Sequence, residues 1–244
     1  MKNIKFLVLI TAIFSFILAT GCKKDDTAEP GNAKEFQVQT ITVPDAMSQS
    51  SNQGAQLATG YIGMANGMAA FGSMMTPPKS AVATHFKGSG EPEIHQWNVD
   101  DGEDNNYSVT LTITETADLY KWKMKVDGLV DGHHVDNFIF IKAEQYKDGH
   151  DNSITVYDPD KPLTISFVMN WHKVNDVFYI TFEEPQSINV GFVINADGSG
   201  SIDAKEWSEE HEAYEQTYTA IWDASGHGEY DEYENGVVVN HGTW

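Results

Sequence analysis

The segment from Asn195 to Trp207, "NADGSGSIDAKEW", carries oxygen-bearing side chains at the spacing of a twelve-residue calcium loop. Its six candidate ligands, at loop positions one, three, five, seven, nine and twelve, are Asn195, Asp197, Ser199, Ser201, Asp203 and Glu206. Ser201 would offer its backbone carbonyl and Glu206 both carboxylate oxygens, while Gly200 lies where such a loop turns sharply. Because calcium prefers oxygen ligands, this spacing predicts a calcium site.

The spacing resembles the calcium loop of EF-hand proteins, in which one helix leads into the loop and another follows it. Apolar residues from Trp207 to Tyr218 recur at helical spacing, as the outgoing helix requires. The incoming "INVGFVI" is β-branched and typical of a strand, and Asn195 lacks the charge of the usual aspartate. The pattern recurs at Asp223 and there runs into Asn235-Gly236, a strong hairpin signal. We therefore favour a glycine-rich turn between two strands, with calcium binding as the alternative.

Other residues that could do chemistry form weaker patterns. The adjacent His133 and His134 could hold a metal, but we favour a solvated turn as the explanation of the pair. The acidic runs 206–215 and 229–234 could contain the paired carboxylates of a glycosidase, but nothing in the sequence isolates one such pair in an apolar pocket. We find no nucleophile motif and no phosphate-binding loop. We therefore expect a protein that is not an enzyme, with a hydrolase as a second alternative.

The N-terminal residues "MKNIKFLVLITAIFSFILATGC" have the three parts of an export signal. Two lysines precede an apolar run too short to span a bilayer, and small residues then lead to Cys22, the single cysteine of the chain. This ending resembles a bacterial lipobox. The resemblance implies a lipoprotein signal peptide over residues 1–21 and a lipidated Cys22 that anchors the protein in a membrane. An ordinary signal peptide followed by a buried cysteine is the alternative.

The residues after Cys22, "KKDD", resemble the short lysine-then-acidic tag of surface-exposed lipoproteins of the Bacteroidota. The tail "WDASGHGEYDEYENGVVVNHGTW" is similar to the endings of uncharacterised surface lipoproteins of this type. The resemblance implies an outer-membrane location facing the cell exterior. Residues 22–35 contain almost no large apolar side chain, which is typical of a flexible linker.

The charge of the chain narrows the classes of partner. Its 36 acidic residues face 15 basic ones, all of them lysine, and the formal net charge is −21. Without arginine the chain lacks the side chain best suited to bidentate phosphate binding, and its overall charge repels nucleic acid. We therefore expect no nucleic-acid partner and a membrane contact that depends on the lipid anchor.

One helix is predicted over about residues 45–75. Apolar side chains recur there at intervals of three and four, and "TPP" ends the segment. Five glycines would weaken an isolated helix, so this helix must pack closely against a partner surface. The stripe of Met64, Met68, Phe71 and Met75 belongs to the core or lines an apolar ligand cavity.

From about Glu93 onward apolar and polar residues alternate, and Asp-Gly, Asn-Asp or Asn-Gly pairs separate the runs. The segment Phe36–Val43 alternates in the same way and is predicted as a further strand. We therefore predict a single, mainly β domain over residues 36–244. It is a large antiparallel meander, either an open curved sheet or a barrel, packed on one N-terminal helix.

These features favour a lipid-anchored surface protein that acts as a non-enzymatic binding module. Exposed tryptophan and tyrosine would favour a glycan ligand, whereas a hollow lined by the methionine stripe would favour an apolar one. A calcium-binding structural or adhesive lipoprotein is the first alternative.

Overall fold

A computed structural model of the chain describes residues 36–84, 91–102 and 104–244, all within the compact unit Gly31–Trp244. The predicted signal peptide (1–21), the lipidated Cys22 and the linker (22–35) lie outside the described residues. Thirteen strands form one sheet in which every strand pairs antiparallel with its neighbours in the sequence. The predicted mainly β meander is confirmed, and of its two possible forms the structure has the open sheet.

The strands follow one another with short connections. Their bounds are β1 Val82–Thr84, β2 Glu93–Asp100, β3 Asn106–Glu115, β4 Leu119–Val130, β5 His133–Tyr146, β6 Asn152–Tyr157, β7 Ile165–Val174, β8 Val177–Glu184, β9 Ile188–Ile194, β10 Gly200–Ser208, β11 Ala213–Trp222, β12 Gly228–Glu234 and β13 Val237–Thr243.

Three of the hairpins close through two-residue turns in which both residues have positive φ. The φ values are 47° and 77° at Asp131-Gly132, 49° and 65° at Asn175-Asp176, and 51° and 74° at Asn235-Gly236. Turns of this kind match the right-handed twist of the strands they join, and Asn, Asp and Gly tolerate them best. The turn residues therefore set the register of the sheet, and the register decides which side chains face the core.

One face of the sheet is apolar and buried, and the other is polar and solvated. On β3 and β4, for example, the inward side chains include Leu111 and Met124, which are cross-strand partners. On β4, Lys121, Lys123 and Lys125 alternate with the buried side chains and point outward. The alternation read from the sequence is thus the alternation between core and solvent.

The helical segment is divided into three pieces rather than the single helix predicted over 45–75. A short helix α1 spans Asp45–Ser48, helix α2 spans Gln53–Ala69, and a 3₁₀ helix spans Ala70–Met75. The break occurs because Asn52 caps α2, with its side-chain oxygen accepting hydrogen bonds from the backbone N–H groups of Gly54 and Ala55. Among the residues that the structure describes, no helix is long and apolar enough to cross a membrane.

Helix α2 presents small and apolar residues to the sheet. Its buried residues are Gly54, Ala55, Ala58, Ile62, Ala65, Met68 and Ala69. The small side chains allow a close approach to β11 and β12: the Tyr218 hydroxyl donates a 2.7 Å hydrogen bond to the carbonyl of Gly54, and Tyr61 packs against the Tyr218 ring. The packing partner that the glycine-rich helix needs is therefore the buried face of the sheet.

The prediction of a strand at Phe36–Val43 is wrong. These residues belong to no helix or strand, and Phe36 and Ile41 contribute their side chains to the core. Phe36 packs edge-on against Trp122 and Trp171, with ring centroids 5.0 and 5.7 Å apart. The Asn66 amide oxygen accepts a 2.8 Å hydrogen bond from the N–H of Ile41, and its amide nitrogen donates a 2.8 Å hydrogen bond to the Ile41 carbonyl. These bonds satisfy backbone groups that a strand would have paired.

Candidate functional site

The polar face of the sheet carries a depression of about 260 Å³ where β5, β6 and β7 lie side by side. Its lining residues are Glu144, Tyr146, Asp151, Asn152, Ser153, Asn170, Trp171 and His172. They come from adjacent strands and from the turn between β5 and β6. The depression opens to solvent and combines aromatic rings with carboxylate, amide and hydroxyl groups.

Two pairs of aromatic rings flank the depression. The ring of Tyr146 lies 4.2 Å from that of His150, which belongs to the β5–β6 turn. On the opposite side, His172 stacks on Tyr179 of β8, with centroids 4.9 Å apart and planes within 14°. His172 and Tyr179 are direct cross-strand partners, so the register of β7 and β8 creates the stack.

Beside the ring pairs runs a row of polar side chains that are cross-strand neighbours, two residues before Tyr146 on β5 and two residues before His172 on β7. Glu144 of β5 is opposite Ser153 of β6, which is opposite Asn170 of β7. Asn170 continues the row to Thr181 of β8, whose hydroxyl lies 3.5 Å from its amide nitrogen. Glu144 also accepts a 2.8 Å hydrogen bond from Lys121, and this hydrogen bond raises the pKa of the lysine. The row therefore offers both donors and acceptors to a bound molecule.

Asn152 and Trp171 support the depression from the buried side of the sheet, where they are 7% and 4% exposed. The Asn152 amide nitrogen donates to the carbonyls of Gly149 and Trp171, each at 3.3 Å. These hydrogen bonds tie the β5–β6 turn to β7 and set the spacing between the walls. The Trp171 ring packs on Phe36, so the N-terminal segment supports the depression from behind.

Hydrogen bonds fix the turn at one edge of the depression. The side chain of Asp148 accepts from the backbone N–H and the ring nitrogen of His150. The ring hydrogen bond, with the backbone one, lowers the pKa of the Asp148 carboxyl. Gly149 has φ of 75°, which allows the turn to bring His150 back over Tyr146. The aromatic wall is thus held by local hydrogen bonding.

The six candidate calcium ligands are divided between a turn and a strand. Asn195 and Ser199 form the tight turn from β9 to β10: the N–H of Asn195 donates to the Ser199 carbonyl at 2.9 Å. Asp197 accepts from the hydroxyl of Ser199 at 2.7 Å and from its N–H at 3.0 Å, which lowers the pKa of Asp197. Ser201 starts the outward row of β10.

Asp203 and Glu206 lie further along β10 and on different faces. Asp203 is exposed and forms a 3.3 Å ion pair with Lys205. Glu206 instead lies near Tyr61 of helix α2. The pKa of Tyr61 is raised first by its burial and then by the negative charge of Glu206. Glu206 lies six positions after Gly200 on the strand, about 20 Å away at the usual rise. In this conformation the six residues do not converge on one point, and calcium binding stays the untested alternative to a turn.

The second copy of the pattern also forms a hairpin turn, between β11 and β12. Asp223 accepts from the hydroxyl of Ser225 at 2.6 Å and from the N–H groups of Ser225 and His227. These hydrogen bonds lower the pKa of Asp223, the largest effect coming from the Ser225 hydroxyl. The two copies thus share one turn chemistry. Across residues 36–84, 91–102 and 104–244 no three acidic, histidine or cysteine side chains are grouped so as to hold a metal.

The methionine stripe lies apart from the depression. Met68, Phe71 and Met75 are buried in the core, with Phe71 against Phe167 at 5.3 Å, and Met64 is half-buried. None of the four lines the depression.

Sequence reasoning missed Tyr146, Asn170 and His172. Each occupies an outward position of its strand. Their aromatic rings and amide group differ from the threonines that occupy the outward positions of β3. That contrast was visible in the sequence, but their proximity depends on the register of β5 with β6 and of β6 with β7, which no local pattern gives.

Comparisons with known proteins identify no family for the chain. No protein-family model, curated protein or solved structure matches the chain.

Proposed function

We propose that this protein is a lipid-anchored, non-enzymatic binding module of the bacterial outer surface, and that the depression at β5–β7 binds a glycan. The observation that carries the proposal is that two aromatic walls lie beside the polar row of Glu144, Ser153 and Asn170. A sugar ring has an apolar C–H face and a rim of hydroxyls. Aromatic rings match the first, and carboxylate, hydroxyl and amide groups match the second.

The packing of the methionine stripe favours a glycan over an apolar ligand. Met75 is fully buried, and Phe71 packs against Phe140 and Phe167. These side chains are therefore part of the packed core and do not line a hollow for a ligand. The residues that line the depression instead include the carboxylates of Glu144 and Asp151, the hydroxyl of Ser153 and the amide of Asn170. A lipid tail would leave those polar groups without partners, which makes binding unfavourable.

The membrane anchor is the part of the proposal that rests on the sequence alone. The apolar run before Cys22 and the lysine-acidic residues after it resemble those of surface lipoproteins. A polar linker of residues 22–35 would let the domain stand away from the bilayer. A surface location would place the depression where extracellular polysaccharide is within reach.

An oligosaccharide array tests the glycan proposal. The purified protein is labelled and applied beside the double variant Tyr146→Ala/His172→Ala, which removes one ring from each wall. We expect the wild type to bind a defined set of oligosaccharides and the double variant to lose them.

The control is Tyr233→Ala, which removes a half-buried tyrosine of β12 that hydrogen-bonds to Thr219 far from the depression. It should bind as the wild type does. If no oligosaccharide binds, or if the control and the double variant lose binding equally, the depression is not the glycan site.

A further inference from the structure

Three neighbouring lysines lie on the polar face of the sheet beside the depression. Lys123 of β4 and Lys142 of β5 are direct cross-strand partners, and Lys125 follows two residues after Lys123 on the same face. We call Lys123, Lys125 and Lys142 the lysine patch. It lies in a chain whose formal net charge is −21, with more than two acids for every lysine.

The lysine patch lacks the carboxylate partners that other lysines of the sheet have. Ion pairs hold Lys121, Lys147, Lys173 and Lys205 to acids at 2.6–3.3 Å. In the described part of the chain, none of the three patch lysines makes an ion pair. Only Lys142 has a charge-related contact of its own, with its ammonium 5.1 Å from the centre of the Tyr157 ring.

This arrangement weakens the fold rather than stabilising it. Like charges directly opposite on neighbouring strands repel, and Lys123 faces Lys142 in that way. Acidic residues are abundant enough that a pairing partner at either position would be ordinary. The unpaired positive charge is therefore better explained by a partner outside the chain.

Hydroxyl groups surround the lysine patch. Thr112 of β3 is opposite Lys123, and Thr155 of β6 is opposite Lys142, all on the solvated face. Thr110 of β3 is opposite Lys125. Ammonium and hydroxyl donors together suit an oxyanion such as a carboxylate or a sulfate, because each donor can bond a separate oxygen.

The lysine patch and the depression share two strands. On β5, Lys142 and Glu144 are successive outward residues, and on β6 Thr155 and Ser153 are. Successive outward residues lie about 7 Å apart along a strand. A chain-like ligand that lies along these strands would therefore reach from the rings of the depression to the lysines.

We propose that the ligand of the depression is an acidic glycan, whose carboxylate or sulfate groups bind the lysine patch. The inference rests on the proposed glycan-binding function of the depression. The negative net charge of the chain does not prevent it, because at physiological ionic strength charges more than about 8 Å away are largely screened. Binding therefore depends on the local lysines.

The test uses the full-length protein purified in detergent and three soluble oligosaccharide sets. These are chondroitin sulfate, which carries sulfate and uronate, hyaluronan, which carries uronate alone, and a neutral maltooligosaccharide series. Dissociation constants are measured by calorimetry at 50 and 300 mM salt. We expect at least one acidic set to bind about tenfold or more tightly than the neutral set, with a difference that shrinks at the higher salt.

The variant is Lys123→Gln/Lys142→Gln, and the control is Lys205→Gln on the same face of the sheet. An exposed ion pair is worth about 1.4- to 5-fold in binding, so we expect a loss of about 2- to 25-fold for the double variant, which removes two. The control should bind as the wild type does. Thermal melting of both proteins checks that each one folds.

The outcomes separate the two proposals. If neutral and acidic sets bind equally, and Tyr146→Ala weakens both while the lysine variant changes nothing, the glycan site stands and the acidic inference is overturned. If no glycan binds but vesicles containing phosphatidylglycerol bind through the lysines, both proposals fail and the lysine patch contacts lipid headgroups. Loss of acidic-glycan binding in both the lysine variant and Tyr146→Ala supports the inference.

Discussion

A methyl group added at Gly54 should destabilise the protein, whereas the same methyl at Gly63 of the same helix should stabilise it. A Cβ at Gly54 would lie 2.0 Å from Cδ1 and 2.4 Å from Cγ of Tyr230, whereas a Cβ at Gly63 would meet nothing within 4 Å. Tyr230 is 6% exposed and packs against Tyr218 and Trp244, so its ring cannot move aside freely.

The two substitutions differ in which effect dominates. Inserting a methyl group into a packed site costs about 1–3 kcal/mol. Gly54 is near the start of α2, where alanine gains less than at the centre of a helix, so we expect Gly54→Ala to lose about 1–3 kcal/mol. Gly63→Ala should gain about 0.5–1 kcal/mol, because alanine favours an exposed helix interior over glycine by that amount.

Urea unfolding followed by tryptophan fluorescence measures both variants against the wild type. A domain of this size shifts its melting temperature by about 2–4 °C per kcal/mol, so thermal melting should give the same order. If Gly54→Ala is as stable as Gly63→Ala, helix α2 does not pack against β12 as described, and the account of the core is refuted.

Three further predictions concern the core, the calcium hypothesis and pH. Tyr218→Phe removes the 2.7 Å hydrogen bond to the carbonyl of Gly54 and should cost about 0.5–1.5 kcal/mol in urea unfolding; unchanged stability would show that this hydrogen bond does not stabilise the fold. Calcium up to millimolar concentration should change neither tryptophan fluorescence nor melting temperature, and a saturable response that Glu206→Gln abolishes would reinstate the calcium loop. The lowered pKa values of Asp197 and Asp223 stabilise the fold above about pH 3.8, and this stabilisation is lost as pH falls through those lowered values. The gap in urea midpoint between the wild type and Asp197→Asn/Asp223→Asn should therefore be largest near neutral pH and close in acid; a gap that persists would contradict the assignment.

The antiparallel sheet could be predicted because its signals are local. The Asp131-Gly132 and Asn235-Gly236 turns fix two hairpins, and the alternation between them assigns each side chain to core or solvent. Phe36–Val43 shows the limit of such patterns. An alternating segment can bury single side chains, here Phe36 and Ile41, without joining a sheet, and Asn66 satisfies the backbone groups of Ile41.

The candidate site could not be predicted because it depends on non-local register. Tyr146 and Asn170 are 24 residues apart in the sequence, and only the pairing of β5 with β6 and of β6 with β7 brings them to one depression. The calcium hypothesis shows the opposite case. Its six residues are close in sequence, but a strand beginning at Gly200 carries Glu206 away from the turn.

The central claim, that the depression between β5 and β7 binds a glycan, is tested most directly by one titration. The best oligosaccharide from the array is titrated into the wild type, Tyr146→Ala and the Tyr233→Ala control. The account predicts a loss of about 5- to 30-fold for Tyr146→Ala, the size expected for removal of one aromatic contact of about 1–2 kcal/mol, and no change for the control. Equal affinities for all three proteins would contradict it and place the ligand elsewhere on the molecule.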